Sequence, residues 1–264
     1  MNAWLKVLIL GIVEGVTEFL PISSTGHLLI VANLLGFRQS VGGTFEIFIQ
    51  FGAVLAVLGY YARDLLAQAR AVRTDGATRR FWLGLVVAFI PAAALGLLLH
   101  GWIKRVLFAS PTVIACSLIG GGIVLIAAEW MPQRVTARAL TGVTLRQELG
   151  IGVAQVAALI PGVSRSGAAM VGGLDRKTAT AFSFYLAIPT LGAATVLDLL
   201  TSLGSLTAGD LGQLLVGTVV AGLVAWLSIG WLLRYVATRS FLAFGIYRIV
   251  AGTIILALVA AHIL

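Results

Sequence analysis

Glu14-Gly15-Val16-Thr17-Glu18-Phe19-Leu20-Pro21-Ile22-Ser23-Ser24-Thr25-Gly26-His27 lies inside an otherwise apolar stretch, residues 3–35, and interrupts it. A helix needs about 20 uninterrupted residues to cross a bilayer. Neither side of the Pro21–Gly26 break is long enough. A second stretch, 147–175, is broken in the same way at Pro161-Gly162-Val163-Ser164-Arg165-Ser166-Gly167. Irregular backbone at membrane depth is tolerated only where protein or a wet cavity satisfies its N–H and C=O groups. Two re-entrant helical hairpins fit both stretches.

The rest of the chain supports a membrane setting. Of 264 residues, 59% are hydrophobic and 11% charged. A soluble domain carries roughly 25% charged residues, so too few are present here to cover a water-facing surface. That excludes a soluble enzyme, a disordered chain and a coiled coil. The lone Cys116 excludes a disulfide scaffold. The net charge of +8 is spread out, with Arg79-Arg80 as its longest run, and gives no tract for nucleic acid. Lys6 and the apolar run after it look superficially like a signal peptide, but Glu14, Glu18 and Pro21 interrupt the run, and it reads as retained.

Six apolar stretches are long enough to span: 44–62, 82–100, 111–130, 178–200, 211–234 and 241–262. The expected fold is therefore all-α and integral to the membrane, a single domain over 1–264 with about six transmembrane helices and two re-entrant hairpins. The hairpins resemble each other. Gly11 and Gly152, Ser23 and Ser164, and Gly26 and Gly167 each lie 141 residues apart, and the same shift pairs Glu14 with Gln155, Ser24 with Arg165 and Thr25 with Ser166. One hairpin and three spans would make a repeat, in halves of about 1–131 and 147–264. Three spans is odd, so the halves would be inverted, with a site near the midplane. Lys and Arg favour the cytoplasmic side. Ten of them (Arg63, Arg70, Arg73, Arg79, Arg80, Arg134, Arg138, Arg146, Arg234, Arg239) fall on one side, against Lys6, Arg38, Lys104 and Arg105 on the other. This places both termini and the first hairpin outside.

Ionisable groups at membrane depth are costly and demand a reason. Glu14 and Glu18, at i and i+4, share a helix face and would repel unless a cation or an Arg lies between them. They read as a divalent-metal site or as a general acid/base pair, against a wet helix end. Ser23, Ser24 and Thr25 after Pro21 are an N-cap signal, and the free N–H groups of a helix start suit an anion. Ser24 and His27, at i and i+3, place a hydroxyl nucleophile near a base; the bland alternative is a cap and a histidine bonded to backbone. Arg165 would offer a planar fork to phosphate, or else snorkel to the interface. Ser23, Thr25 and Gly26, with Ser164, Ser166 and Gly167, would line an anion-binding pocket if the breaks meet. Glu46 and Gln50 border that cavity on this reading. Arg248 needs a partner, either an ion pair or substrate. Asp175-Arg176-Lys177 reads as a helix turn, His100 and His262 as interfacial, Trp4, Trp82, Trp102 and Trp130 as an aromatic belt, and Cys116 as a small core residue.

The two motifs, Glu14 to His27 and Pro161 to Gly167, resemble the signatures of the bacterial undecaprenyl-diphosphate phosphatases linked to bacitracin resistance, and the likeness runs the whole chain. The resemblance implies a membrane enzyme that hydrolyses undecaprenyl diphosphate to undecaprenyl phosphate and phosphate, recycling the carrier for peptidoglycan synthesis. It implies catalytic positions at Glu14, Glu18, Ser24, His27 and Arg165, and a divalent cation, Mg²⁺ or Ca²⁺. It also implies a polyprenyl diphosphate substrate among membrane lipids, a homodimer and a place in the bacterial inner membrane, where the charge asymmetry turns the site to the outer side. The rival reading is a transporter or flippase for a phosphorylated lipid, which would need no nucleophile beside a base. A non-catalytic scaffold would leave the buried polar cluster without a reason.

Overall fold

The breaks in the sequence are breaks in the helices. A computed structural model describes residues 1–37, 44–131, 135–170, 173–202 and 208–264; Arg38 and Arg134 of the charge count lie outside them. In chain order the helices are α1 (Ala3–Thr17), α2 (Ser24–Leu34), α3 (Thr44–Tyr60), α4 (Ala62–Ala71), α5 (Gly76–Trp102), α6 (Pro111–Trp130), α7 (Leu145–Ala154), α8 (Arg165–Met170), α9 (Arg176–Ser202), α10 (Ala208–Thr238) and α11 (Leu242–Ala260). A π-helical turn, Ile103–Leu107, extends α5, and a 3-10 turn, Gln155–Leu159, extends α7. The first hairpin is α1 and α2. The second is α7, its 3-10 turn and α8.

Among the described residues five helices (α5, α6, α9, α10 and α11) are long and apolar enough to cross a membrane. α6 has the bounds expected from its apolar run. The sixth expected span, 44–62, differs. It is a 17-residue helix, α3, that bends by 68° into α4. The segment 63–81, read from sequence as a loop, is thus α4 and the start of α5. α4 carries Arg63, Asp64 and Arg70, and none of its residues is buried. A charged helix that cannot enter the bilayer has to turn along its surface. Asp75 then caps α5, accepting from the backbone N–H groups of Ala77 and Thr78. Bonds from the Thr78 hydroxyl and backbone hold its carboxyl below the usual carboxylate range. Asp175 caps α9 through Lys177 and Thr178 in the same manner.

α3 packs against α9 and α10, α1 against α10, α5 against α7 and α6 against α11. Small residues allow the close approaches. A Cβ on Gly15 would come within 2.6 Å of the Ala221 carbonyl oxygen on α10. Outward faces are apolar, with Leu98 78% exposed and Leu223 66% exposed, as expected where lipid replaces water. Trp4, Trp102 and Trp130 are exposed, while Trp82 packs partly into the core. Cys116 corrects the sequence reading. It is exposed on α6, not in the core. α6 is apolar all round, so nothing in its pattern separates the lipid face from the protein face.

Candidate active site

The two breaks touch. At the first, Ser23 takes a positive φ of 69°, a conformation that costs a non-glycine residue about 1–3 kcal/mol. Its hydroxyl does not cap α2. It accepts the Gly162 N–H of the second break, at 3.0 Å. Gly162 has φ of 100° and sits so close to α6 that a Cβ would come within 2.6 Å of the Ile114 carbonyl oxygen. Gly26 faces it, and a Cβ there would stand 3.3 Å from the Gly162 nitrogen.

Across this junction a chain of polar groups forms. The Ser24 hydroxyl donates to Glu18 Oε2 in a short hydrogen bond. Arg165 Nη2 donates to Glu18 Oε1 at 2.6 Å, and both side chains are largely buried. Arg165 Nη1 reaches the Thr190 hydroxyl at 3.3 Å, and its Nε has no acceptor among the described residues. One carboxylate therefore ties the hydroxyl of the first hairpin to the guanidinium of the second. Thr190, on α9 after Pro189, was not singled out from sequence, where it is one hydroxyl in an apolar span.

His27 is placed differently from the serine–histidine pairing expected from spacing. Its Nδ1 lies 2.8 Å from the Ser23 carbonyl and its Nε2 lies 2.9 Å from the Tyr247 hydroxyl. A carbonyl only accepts, so Nδ1 carries the hydrogen, and in the neutral ring Nε2 then accepts from Tyr247. The rings stack with centroids 5.6 Å apart. With its one acceptor nitrogen filled, the imidazole loses the Ser24 hydrogen to a carboxylate, the stronger acceptor.

Glu14 is wholly buried with its carboxyl against that of Glu18, and no N–H or hydroxyl donor reaches its oxygens among the described residues. It lies within electrostatic reach of Glu18, Arg165 and Glu46. An unsatisfied buried carboxylate is costly; a proton shared with Glu18 or a bound cation would satisfy it. No group of three His, Cys, Asp or Glu is arranged as a metal cage among the described residues. Glu14 and Glu18 would suit only an ion that completes its shell with phosphate oxygens and water, as Mg²⁺ does, and Glu18 already accepts from Ser24 and Arg165.

A cavity of about 360 Å³ opens beside this cluster. Arg165, Thr190, Thr25 and Gln50 line it, with apolar walls from α5 and α9. Gln50 also donates to the Thr25 hydroxyl at 3.1 Å. His100, read as interfacial, lines the same cavity, as does Lys104, which pairs with the buried Asp198. Ser164 is buried at the junction, and Gly167 has open space beside it. The Ser166 side chain lies outside the described residues. Among the described residues Arg248 meets no carboxylate, and it is not part of the cavity lining. It donates to backbone carbonyls.

The arrangement offers a hydroxyl already giving its hydrogen to a carboxylate, a guanidinium for oxyanions and an apolar approach. Known proteins share this chain almost end to end. It is 50% identical to an undecaprenyl-diphosphatase of Methylobacillus flagellatus over 96% of this chain and 97% of that one. It is 46% identical to an undecaprenyl-diphosphatase of Deinococcus radiodurans over 99% and 97%, and 48% identical to one of Dechloromonas aromatica over 96% and 93%. The family model described as bacitracin resistance protein BacA matches residues 7–254, so the broken hairpins and the cluster between them lie inside the matched region, and the chain belongs to that family.

Proposed function

We propose that this multi-pass membrane protein is an undecaprenyl-diphosphatase, hydrolysing undecaprenyl diphosphate to undecaprenyl phosphate and phosphate. The observation that carries the chemistry is the Ser24–Glu18–Arg165 chain. The Ser24 oxygen attacks the terminal phosphorus as its proton passes to Glu18. The bond from that phosphorus to the bridging oxygen breaks, and undecaprenyl phosphate leaves. Water then hydrolyses the phosphoserine, releasing phosphate and restoring the hydroxyl. Arg165 turns its remaining donors to the phosphoryl oxygens; such reactions need mostly positioning and charge neutralisation. Glu14 would hold a divalent cation, Mg²⁺ or Ca²⁺, which neutralises phosphate charge when bound. His27, fixed by the Ser23 carbonyl, takes part in proton transfer only through the Tyr247 hydroxyl that occupies its Nε2.

Three finer points belong to the same reading. The inverted repeat is supported by reciprocal packing. α1 lies on α10 as α7 lies on α5, while α3 meets α9 and α6 meets α11. The arginine asymmetry supports an inner-membrane enzyme whose site opens to the outer face. A homodimer rests on the family resemblance.

The test is phosphate release from undecaprenyl diphosphate by the purified full chain in detergent, with and without EDTA. Steady release that EDTA stops and Mg²⁺ or Ca²⁺ restores is expected. Binding without release would leave a transporter or flippase, for which the Ser24–Glu18 bond has no use.

A further inference from the structure

Arg248 is 2% exposed, in the middle of α11. A guanidinium inside a span ordinarily pairs with an acid or faces a wet cavity. Here no acid lies within ion-pair distance among the described residues, and the side chain is not part of the cavity lining. Its nitrogens donate to four carbonyls instead. Nη1 reaches Pro21 at 3.2 Å, Nη2 reaches Gly162 at 2.7 Å and Ser117 at 3.4 Å, and Nε reaches Leu118 at 3.4 Å. Pro21 and Gly162 are the turning points of the two breaks. Helix ends leave carbonyls without intrahelical partners, and in a membrane no water fills them. α6 makes room at Gly121, where any Cβ would run into the guanidinium.

We propose that Arg248 is a positioning residue that sets the separation of the two breaks, so that Ser24 and Glu18 on the first meet Arg165 on the second. The planar fork is what allows one side chain to hold both carbonyls. A lysine keeps the charge but concentrates its donors at one nitrogen, and cannot span them. The kinetic part of the proposal rests on the diphosphatase reading, while the distance part stands without it.

The test uses the full chain in nanodiscs with Arg248→Lys, Arg248→Gln and Gly121→Ala. Hydrolysis of undecaprenyl diphosphate gives kcat and KM. In parallel, spin labels on Val16→Cys and Ile160→Cys, in a Cys116→Ser background, report the distance between hairpins. Displacing the groups by an ångström costs kcat about 100-fold, with KM little changed, and the single narrow distance of the parent should broaden in all three variants. Gly121→Ala, which keeps Arg248 and moves it, guards against a fold lost with the arginine. Parental kcat in Arg248→Lys, or an unchanged narrow distance in Arg248→Gln, overturns the proposal. If the parent itself releases no phosphate, the diphosphatase reading fails and the distance measurement alone decides the role of Arg248.

Discussion

At the scale of single residues, Glu18 is the pivot. It accepts from Ser24 with one oxygen and from Arg165 with the other, so in the proposed reaction the base that takes the proton is also the anchor of the guanidinium. Replacing Ser24 by Ala removes the attacking oxygen while leaving the Glu18–Arg165 pair in place. Turnover should fall by about a thousandfold or more, as when one member of a catalytic unit is lost, and the parent quenched during turnover should carry phosphoserine. Near-parental kcat in Ser24→Ala would make direct attack by water the mechanism. The cluster's membership was legible in the sequence, because Glu14, Glu18, Ser24 and Arg165 are polar groups where polar groups are expensive. Its wiring was not. Spacing on one helix suggested Ser24 with His27, and the competitors that decided otherwise come from elsewhere: Tyr247 on α11 fills the imidazole and Glu18 lies six residues upstream across the turn. Arg248 shows the same limit, since its partners are carbonyls, and carbonyls leave no mark in a sequence.

At the scale of helices, unbroken apolar runs made α6 and α11 readable to within two residues. The bend between α3 and α4 was hidden, because Tyr60-Tyr61-Ala62-Arg63 carries no Pro or Gly and hydropathy declines gradually. Packing in lipid depends on small residues that let backbones approach, and α1 tests this directly. Gly15→Ala would push a methyl group against the Ala221 carbonyl and should destabilise the protein by about 1–3 kcal/mol. Gly120→Ala on α6, with nothing within 4 Å, should be neutral or slightly stabilising. Thermal unfolding in one detergent compares the two, and equal melting temperatures would mean that α1 and α10 are not held by close contact.

At the scale of the whole molecule, the apolar outer surface fits a membrane setting, and the proposed orientation rests on the arginine-rich side. The cavity beside Arg165 lies between α5, α9 and the second hairpin, and it combines an apolar wall with a polar floor, the chemistry of a charged head on a hydrocarbon tail. Single cysteines at Arg38 and Asp75, in a Cys116→Ser background because Cys116 is exposed, report the orientation. An impermeant thiol reagent added to intact cells should label position 38 and spare position 75; the reverse pattern would turn the site to the cytoplasm. On the proposed reading two hairpins, one from each half of the chain, supply one reaction centre. A double-mutant cycle measures that most directly: kcat/KM for undecaprenyl diphosphate in the parent, Ser24→Ala, Arg165→Ala and the double variant. Groups that act as a unit lose nearly everything at the first substitution, so the double variant should be scarcely slower than the worse single one. Losses that simply multiply would mean that Ser24 and Arg165 work at separate places.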